Sequence, residues 1–267
     1  MIIELKNIIH TFENSQWEMN LPEYLVSTGK VQGIIGPNGS GKTTLLRIAA
    51  GIINPAQGEV RLSGKNIKKQ KRRDVAKLLG YLPQELSSEY DLSVLELVRM
   101  GRYPYTQGWG NLTPDDHEKV IESLKFTGME ALKDRRLSHL SGGEKKRAFL
   151  ASVLSQKPRV LLLDEPGSAL DIHHQVSFFR LLQDLANQGM GIVVVTHDLN
   201  FASLFSDDVV LLDAGKCAAQ GSVREVFQDK FFRSIYGRDI LMGIHPEIDR
   251  PTFLPRPADT KKNKHEN

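Results

Sequence analysis

Apolar residues along this chain change their period several times, and each change marks an element. Ile2 to Ile9, the stretch around Trp17 to Leu21, and Val31 to Ile35 have strand-like patterning, and the last of them leads straight into a glycine-rich turn. Thr43 to Ala50 then carries apolar residues at helical spacing, with Gly51 placed as its C-terminal cap. Strand, glycine-rich loop and helix therefore follow one another without a break. Glu59 to Leu62 and Leu78 to Leu82 read as further strands. From Ser88 to Ser155 the pattern turns helical, interrupted at Gly101, Gly108-Trp109-Gly110 and Thr113-Pro114, which predicts an inserted helical unit. Val160 to Leu163 and Ile192 to Val195 are unbroken apolar runs, as strands of a parallel sheet covered on both faces require. Val209 to Asp213 and Lys216 to Gln220 flank Ala214-Gly215 as a strand pair, and Ser222-Val223-Arg224-Glu225 fits a capping box opening a helix. Beyond Pro246 the prolines, charges and lost periodicity predict an irregular tail. No repeat is visible at solenoid periods.

Composition changes this picture little. The chain has 267 residues, 40% hydrophobic and 25% charged, an ordinary globular balance. Cys217 is the only cysteine, so no intrachain disulfide forms, and a reducing compartment, the cytoplasm, is the natural setting. Met1 to Lys6 lacks the features of a secretory signal, and the longest apolar runs fall far short of the roughly 20 residues that cross a bilayer. The formal charge of +3 gathers in Lys65 to Arg73 and Lys261-Lys262-Asn263-Lys264. Such runs meet nucleic acid or an anionic membrane, or are solvated faces; the lack of interleaved aromatics favours solvation.

The chemistry lies in three segments. Gly36-Pro37-Asn38-Gly39-Ser40-Gly41-Lys42-Thr43, followed by Thr44, fits the phosphate-binding loop, with the flanking strand and helix that this motif needs. Its glycines let main-chain N–H groups turn toward phosphates at a helix N-terminus. Lys42 supplies a point charge to the β- and γ-phosphates, and the Thr43 hydroxyl is a ligand for Mg²⁺. In the second segment, Val160 to Leu163 delivers Asp164 and Glu165 to the C-terminal end of a buried strand, where ligands of open α/β sheets sit. Asp164 suits the Mg²⁺ shell, and Glu165 suits a general base polarising the attacking water. In the third, Leu140-Ser141-Gly142-Gly143-Glu144 precedes a helix and offers a second anion-reading N-terminus; standing alone it would be an ordinary serine cap. His173-His174 does not form a chelating pair, because adjacent helical residues point about 100° apart.

These segments in this order, with Ser168-Ala169-Leu170-Asp171 behind the second, resemble the ABC-type ATPases over nearly the whole chain. The resemblance implies an α/β fold: a P-loop NTPase core with a mostly parallel sheet and an N-terminal antiparallel β subdomain, plus an inserted all-helical subdomain. It divides the chain into a core of residues 1–87 and 156–230, a helical subdomain at 88–155, and a C-terminal extension with irregular tail at 231–267. It also implies a head-to-tail dimer with a second copy, in which Ser141, Gly142, Gly143 and Glu144 act in trans on ATP held by the partner's loop. Gln84 then senses Mg²⁺ and the attacking water, His197 contacts the γ-phosphate, and Asp171 communicates across the dimer. Phe12 is the matching position for the aromatic that stacks on adenine, with Trp17 the competing choice and core packing open for both. Two departures stand out: Gly167 replaces the usual Thr or Ser, which would loosen that turn, and Glu13 to Gln32 matches the family pattern poorly.

Finer features resemble the ATPase subunits of ferric-siderophore, heme and cobalamin importers: Met100-Gly101-Arg102-Tyr103-Pro104-Tyr105, Leu170 to Gln175, Ile235-Tyr236-Gly237 and Ile244-His245-Pro246-Glu247. They imply a peripheral subunit on the cytoplasmic face of the membrane, driving uptake of an iron chelate. Its partners would be separate permease subunits, docked on the insert between Gln84 and Ser138, and indirectly an extracytoplasmic binding protein. Heme or cobalamin import is the alternative, as is a soluble regulatory ATPase acting on nucleic acid or a membrane surface. For Tyr103 and Tyr105 the plain alternative is a partly exposed loop with no partner.

Overall fold

The computed structural model describes residues 1–13, 15–86, 91–106, 112–168 and 170–257, the side chains of 229–231 excepted. Gly108-Trp109-Gly110, Ala169 and the basic tail Lys261 to Lys264 lie outside the described residues.

The first half of the chain forms β1 (Ile3–Thr11), β2 (Glu18–Val26), β3 (Val31–Ile35), α1 (Lys42–Ala49), β4 (Gln57–Leu62), β5 (Lys65–Asn66), α2 (Arg72–Ala76) and β6 (Leu79–Leu82). Three helices follow, α3 (Val94–Met100), α4 (Pro114–Phe126) and α5 (Gly142–Ser155). The α/β alternation resumes with β7 (Val160–Asp164), α6 (Ile172–Asn187), β8 (Gly191–Val195), α7 (Leu199–Phe205), β9 (Asp208–Asp213) and β10 (Lys216–Ser222). The last elements are α8 (Val223–Val226), α9 (Asp229–Tyr236), β11 (Ile240–Ile244) and β12 (Pro251–Pro255).

Ten strands make one sheet in the order β5-β4-β1-β2-β10-β9-β3-β8-β7-β6. From β9 to β6 all neighbours are parallel, whereas β1 pairs antiparallel with both β2 and β4. Every residue of β7 and β8 is buried, the condition that their apolar runs anticipated. The sheet order also brings β6, β7 and β8 side by side, so their carboxyl ends share one edge.

Helix boundaries follow local chemistry. Ser93 with Glu96, Thr113 with Asp116, and Ser141 with Glu144 each close a capping box, so α3, α4 and α5 all begin on the same reciprocal pair of hydrogen bonds. Helix α1 ends with Gly51 N–H on the Ile48 carbonyl and Ile52 N–H on that of Arg47, each at 2.9 Å, a Schellman closure.

Helix α5 buries two faces. Ala148 and Ala151 pack with Val94, Val98, Val120 and Leu124 of α3 and α4, while Leu150, Val153 and Leu154 pack with the strands and α6. The insert is further pinned by a buried ion pair, Arg102 to Asp116 at 2.8 Å, whose guanidinium also donates to the Ser155 carbonyl at 2.6 Å. Tyr105 lies over that guanidinium, 3.8 Å from ring centroid to Cζ. Part of the basic run is likewise structural: Arg72 donates to the Gly51 carbonyl and Arg73 to that of Pro104.

The chain past Pro246 departs from the irregular tail expected there, because β12 pairs with β11 from Leu241↔Leu254 to Ile244↔Pro251. Prolines stand at both ends of β12, where an edge strand tolerates the missing N–H. The hairpin is fastened to α7: Asn200 exchanges two hydrogen bonds with the Phe253 backbone, at 2.8 and 3.1 Å, and Ser203 donates to the Pro251 carbonyl at 2.6 Å. Phe253 is buried against Phe227 and Phe232, next to Ile35 and Leu199 of the core.

Candidate active site

The glycine-rich loop lies between β3 and α1, and its backbone leaves no choice of residue at Gly41. With φ of 101° there, a Cβ would stand 2.6 Å from Trp17 Cζ2. Inside the loop the Lys42 ammonium donates to the carbonyls of Gly36 and Pro37, at 2.9 Å each. Burial lowers the pKa of that ammonium, although Glu165 and Asp164 partly restore it. The charge is thus held where a phosphate entering the loop would meet it. Ser40 is buried, and its hydroxyl has no hydrogen-bond partner among the described residues.

Thr43 and Asp164 come from opposite sides of the site, the Thr43 hydroxyl donating to Asp164 Oδ1 at 3.0 Å. Asp164 is 2% exposed, and burial, opposed by the Thr43 hydrogen bond and reinforced by the Glu165 charge, raises its carboxyl above the usual range. A divalent cation would reverse that penalty. Hydroxyl, carboxylate and the Gln84 amide are hard donors, and one carboxylate beside substrate phosphates is the kind of set Mg²⁺ accepts.

Glu165 takes a φ of 46°, an unfavourable backbone for a glutamate, with its N–H on the Val195 carbonyl at 3.0 Å. Its Oε2 accepts from Gln84 Nε2 at 2.9 Å and lies 3.4 Å from His197 Nδ1. Gln84 follows β6, Glu165 follows β7 and His197 follows β8, so the shared strand edge gathers three residues far apart in sequence.

A recess of about 500 Å³ opens over the loop, lined by Phe12, Ser15, Trp17, Asn38, Gly39, Gly41, Lys42, Thr43, Thr44 and Glu165. Phe12 and Trp17 stack with ring centroids 5.7 Å apart. Trp17 leans on Gly41 and packs against the main core, whereas Phe12 is 47% exposed and also meets the His10 ring edge-to-face at 4.8 Å between centroids. A second recess of about 490 Å³, between α4 and the end of α6, contains none of these residues.

The Ser141 to Glu144 segment does not line the recess of its own chain. Ser141 and Gly142 are exposed at the start of α5, with Glu144 Oε2 accepting the Ser141 N–H at 2.8 Å. Asp171 caps α6, accepting the His174 N–H at 2.9 Å and contacting His174 Nδ1 at 2.7 Å. That histidine ring lies beside Gly143, 3.2 Å from where a Cβ would sit.

Ser15, at the rim of the recess, and Lys146 are polar residues that escaped the sequence reading. Lys146, within the basic run Lys145-Lys146-Arg147, turns inward and donates to the carbonyls of Pro166 and Ser168. Its position four residues before buried Leu150 on α5 was the available signal. At Gly167, Gln175 donates to the main-chain carbonyl at 2.8 Å.

Residues 22–168 match the ABC transporter family model. The chain is 38% identical over 256 residues to a petrobactin import ATP-binding protein of Bacillus anthracis, covering 96% of this chain and 93% of that one. It is 36% identical over 231 residues to the ferric enterobactin transport ATP-binding protein of Escherichia coli (strain K12), covering 86% and 85%. Among solved structures, a dimeric ATP-binding cassette in a post-hydrolysis state with ADP and Pi superposes with a TM-score of 0.72 at 27% identity, covering 83% of this chain and 98% of that chain. Among the described residues no helix is long and apolar enough to cross a membrane. Because the matched segment runs from β2 through the glycine-rich loop and α5 to the Asp164-Glu165 turn, this chain belongs to the ABC transporter family, as one of its ATP-hydrolysing subunits.

Proposed function

We propose that this ATPase works as a head-to-tail pair of copies on the cytoplasmic face of a membrane, coupling ATP hydrolysis to uptake of an iron chelate through separate permease subunits. The observation that carries the chemistry is the single Glu165 oxygen reached by both Gln84 and His197, beside the Lys42 and Asp164 charges. In this reading the glycine-rich loop, Gly36 to Thr44, holds the phosphates and Phe12 supplies the face for adenine. Thr43, Asp164 and Gln84 hold Mg²⁺, which would neutralise phosphate charge when bound. Glu165 takes the proton of a water attacking in line at the γ-phosphate, while Gln84 and His197 orient that water and phosphate.

The second copy enters through Ser141 to Glu144. A Cβ on Gly142 would meet no heavy atom of the described residues within 4 Å, so none of them requires glycine at this first helical position. Close approach of a phosphate on the partner's loop does require it. Asp171, capping α6 beside that segment, carries the state of one site to the other.

Docking to the permease falls to the insert between Gln84 and Ser138, most of which belongs to the helical unit 88–155 set off from the core at 1–87 and 156–230. Met100 and Tyr103 there are 60% and 72% exposed, on a segment braced from below by Arg73 and Tyr105. The cargo assignment rests on the relatives named for petrobactin and enterobactin. Co-expression with the neighbouring permease genes tests the reading: membrane retention and altered ATP turnover are expected, and transport of ferric siderophore in preference to heme or cobalamin identifies the cargo. A protein neither retained nor altered by the permease would end the importer reading.

A further inference from the structure

The turn behind Glu165 is held at four successive carbonyl oxygens. That of Glu165 accepts from the Ser168 hydroxyl at 2.9 Å and the Ser168 N–H at 3.1 Å, and that of Gly167 accepts from Gln175 at 2.8 Å. The remaining two, on Pro166 and Ser168, share one donor, the Lys146 ammonium, which reaches Pro166 O at 2.9 Å, Ser168 O at closer range and Ser168 Oγ at 3.3 Å. Lys146 makes no ion pair with a carboxylate among the described residues. Burial lowers its pKa, opposed by the Glu165 charge. Partly withdrawing an ammonium from water is costly, and three oxygens of the turn replace the lost hydration.

We propose that Lys146 is a positioning residue for hydrolysis, tying the helix that bears Ser141 to Glu144 to the turn that aims the Glu165 carboxylate. This rests on the reading of Glu165 as general base and of the α5 N-terminus as the segment that meets the partner's ATP. Two observations give the link its function. Glu165 adopts a backbone conformation that persists only where its surroundings over-determine it. On the strand side the Val195 carbonyl holds its N–H, and on the far side the hold comes through the turn, hence through Lys146. Second, Lys146 lies on the same helix as Ser141, a little over one turn along, so a shift of the α5 N-terminus against bound nucleotide moves the turn directly.

The test compares steady-state ATP hydrolysis of the full chain carrying Lys146→Met, Lys146→Gln or Lys146→Arg with the unmodified protein. ATP affinity is measured separately in a Glu165→Gln background, and melting temperature is followed throughout. Lys146→Met is expected to lower kcat by roughly 10- to 100-fold, as a displaced catalytic group does, with KM and ATP affinity changed less than about twofold. Lys146→Gln restores part of kcat, since its amide N–H groups reach for the same carbonyls without the charge. The proposal is overturned if Lys146→Met turns over within about twofold of the unmodified protein, or if its loss of kcat is matched by a proportional loss of ATP affinity. Should Lys146→Met fail to fold, Lys146→Gln and Lys146→Arg carry the same comparison. Glu165→Gln separates the two readings: normal turnover in that variant removes the general base, whereas an inactive Glu165→Gln beside a fully active Lys146→Met removes only the positioning role.

Discussion

The two segments proposed to read phosphate, the loop before α1 and the start of α5, are finished to different degrees. Around the loop between β3 and α1, side chains already engage one another: Lys42 with the loop carbonyls, Thr43 with Asp164, Glu165 with Gln84. At the start of α5, Ser141 and Glu144 satisfy each other, and beyond them Gly142 faces open space. Burial differs in the same way, with Lys42 and Asp164 inside the protein and Ser141 and Gly142 on its surface. One half of the site is preorganised by its own fold. The other half is a finished helix end, and on the proposed function its counterpart comes from a second copy, so that hydrolysis would depend on assembly.

That contrast can be broken in order of expected effect. Glu165→Gln should lower kcat by about 10²- to 10⁴-fold, the range for loss of a general base, while nucleotide binding survives and an ATP-bound dimer accumulates on size exclusion. Near-normal turnover would take the base role away from Glu165. Lys42→Ala should weaken ATP binding by roughly 10- to 100-fold, the scale of a charge-assisted contact of about 1.5–3 kcal/mol, and titration calorimetry reads this directly. Unchanged affinity would contradict the role of the loop.

Ser141→Arg tests the unfinished half. ATP affinity of the single copy should stay within about twofold, while loss of the serine cap on α5, about 0.5–2 kcal/mol, lowers the melting temperature by roughly 2–4 °C per kcal/mol without unfolding the chain. In the Glu165→Gln background, however, the ATP-dependent dimer should disappear. A dimer that persists would place the α5 N-terminus outside the interface.

The smallest effect concerns Asp164. Its native carboxyl titrates above the ordinary range because of burial, so the folded state holds that proton more tightly than the unfolded chain does. That contribution to stability is present below the ordinary carboxylate range and is lost as pH rises through the raised native value. Asp164→Asn removes the loss: near neutral pH the nucleotide-free variant should melt about 2 °C higher while losing hydrolysis. A variant that melts lower would show that the ionised carboxylate stabilises the empty site.

Local pattern made most of the scaffold legible. The runs in β3, β7 and β8, the helical spacing of α1 and the capping box of α5 are short-range signals, and the motifs sit on them at fixed spacing. The C-terminal hairpin was not legible. Its five-residue strands carry weak periodicity, and the groups that hold β12, Asn200 and Ser203, stand about 50 residues earlier in the chain. Lys146 was hidden for a related reason: in a run of three basic residues it reads as solvated, and only the packing of α5 sends Lys146 to the turn behind Glu165 and Arg147 to Ser177 on α6.

The sequence by itself determined the chemistry and its carriers, because a glycine-rich loop between strand and helix, and two acids closing an apolar strand, allow few other uses. Tertiary structure alone decided the geometry. Sheet order brought Gln84, Glu165 and His197 to one edge, packing set Phe12 outward and Trp17 inward, and α5 was left with a buried flank and an open end. These outcomes depend on contacts between residues tens of positions apart, which become favourable only when the whole core closes at once.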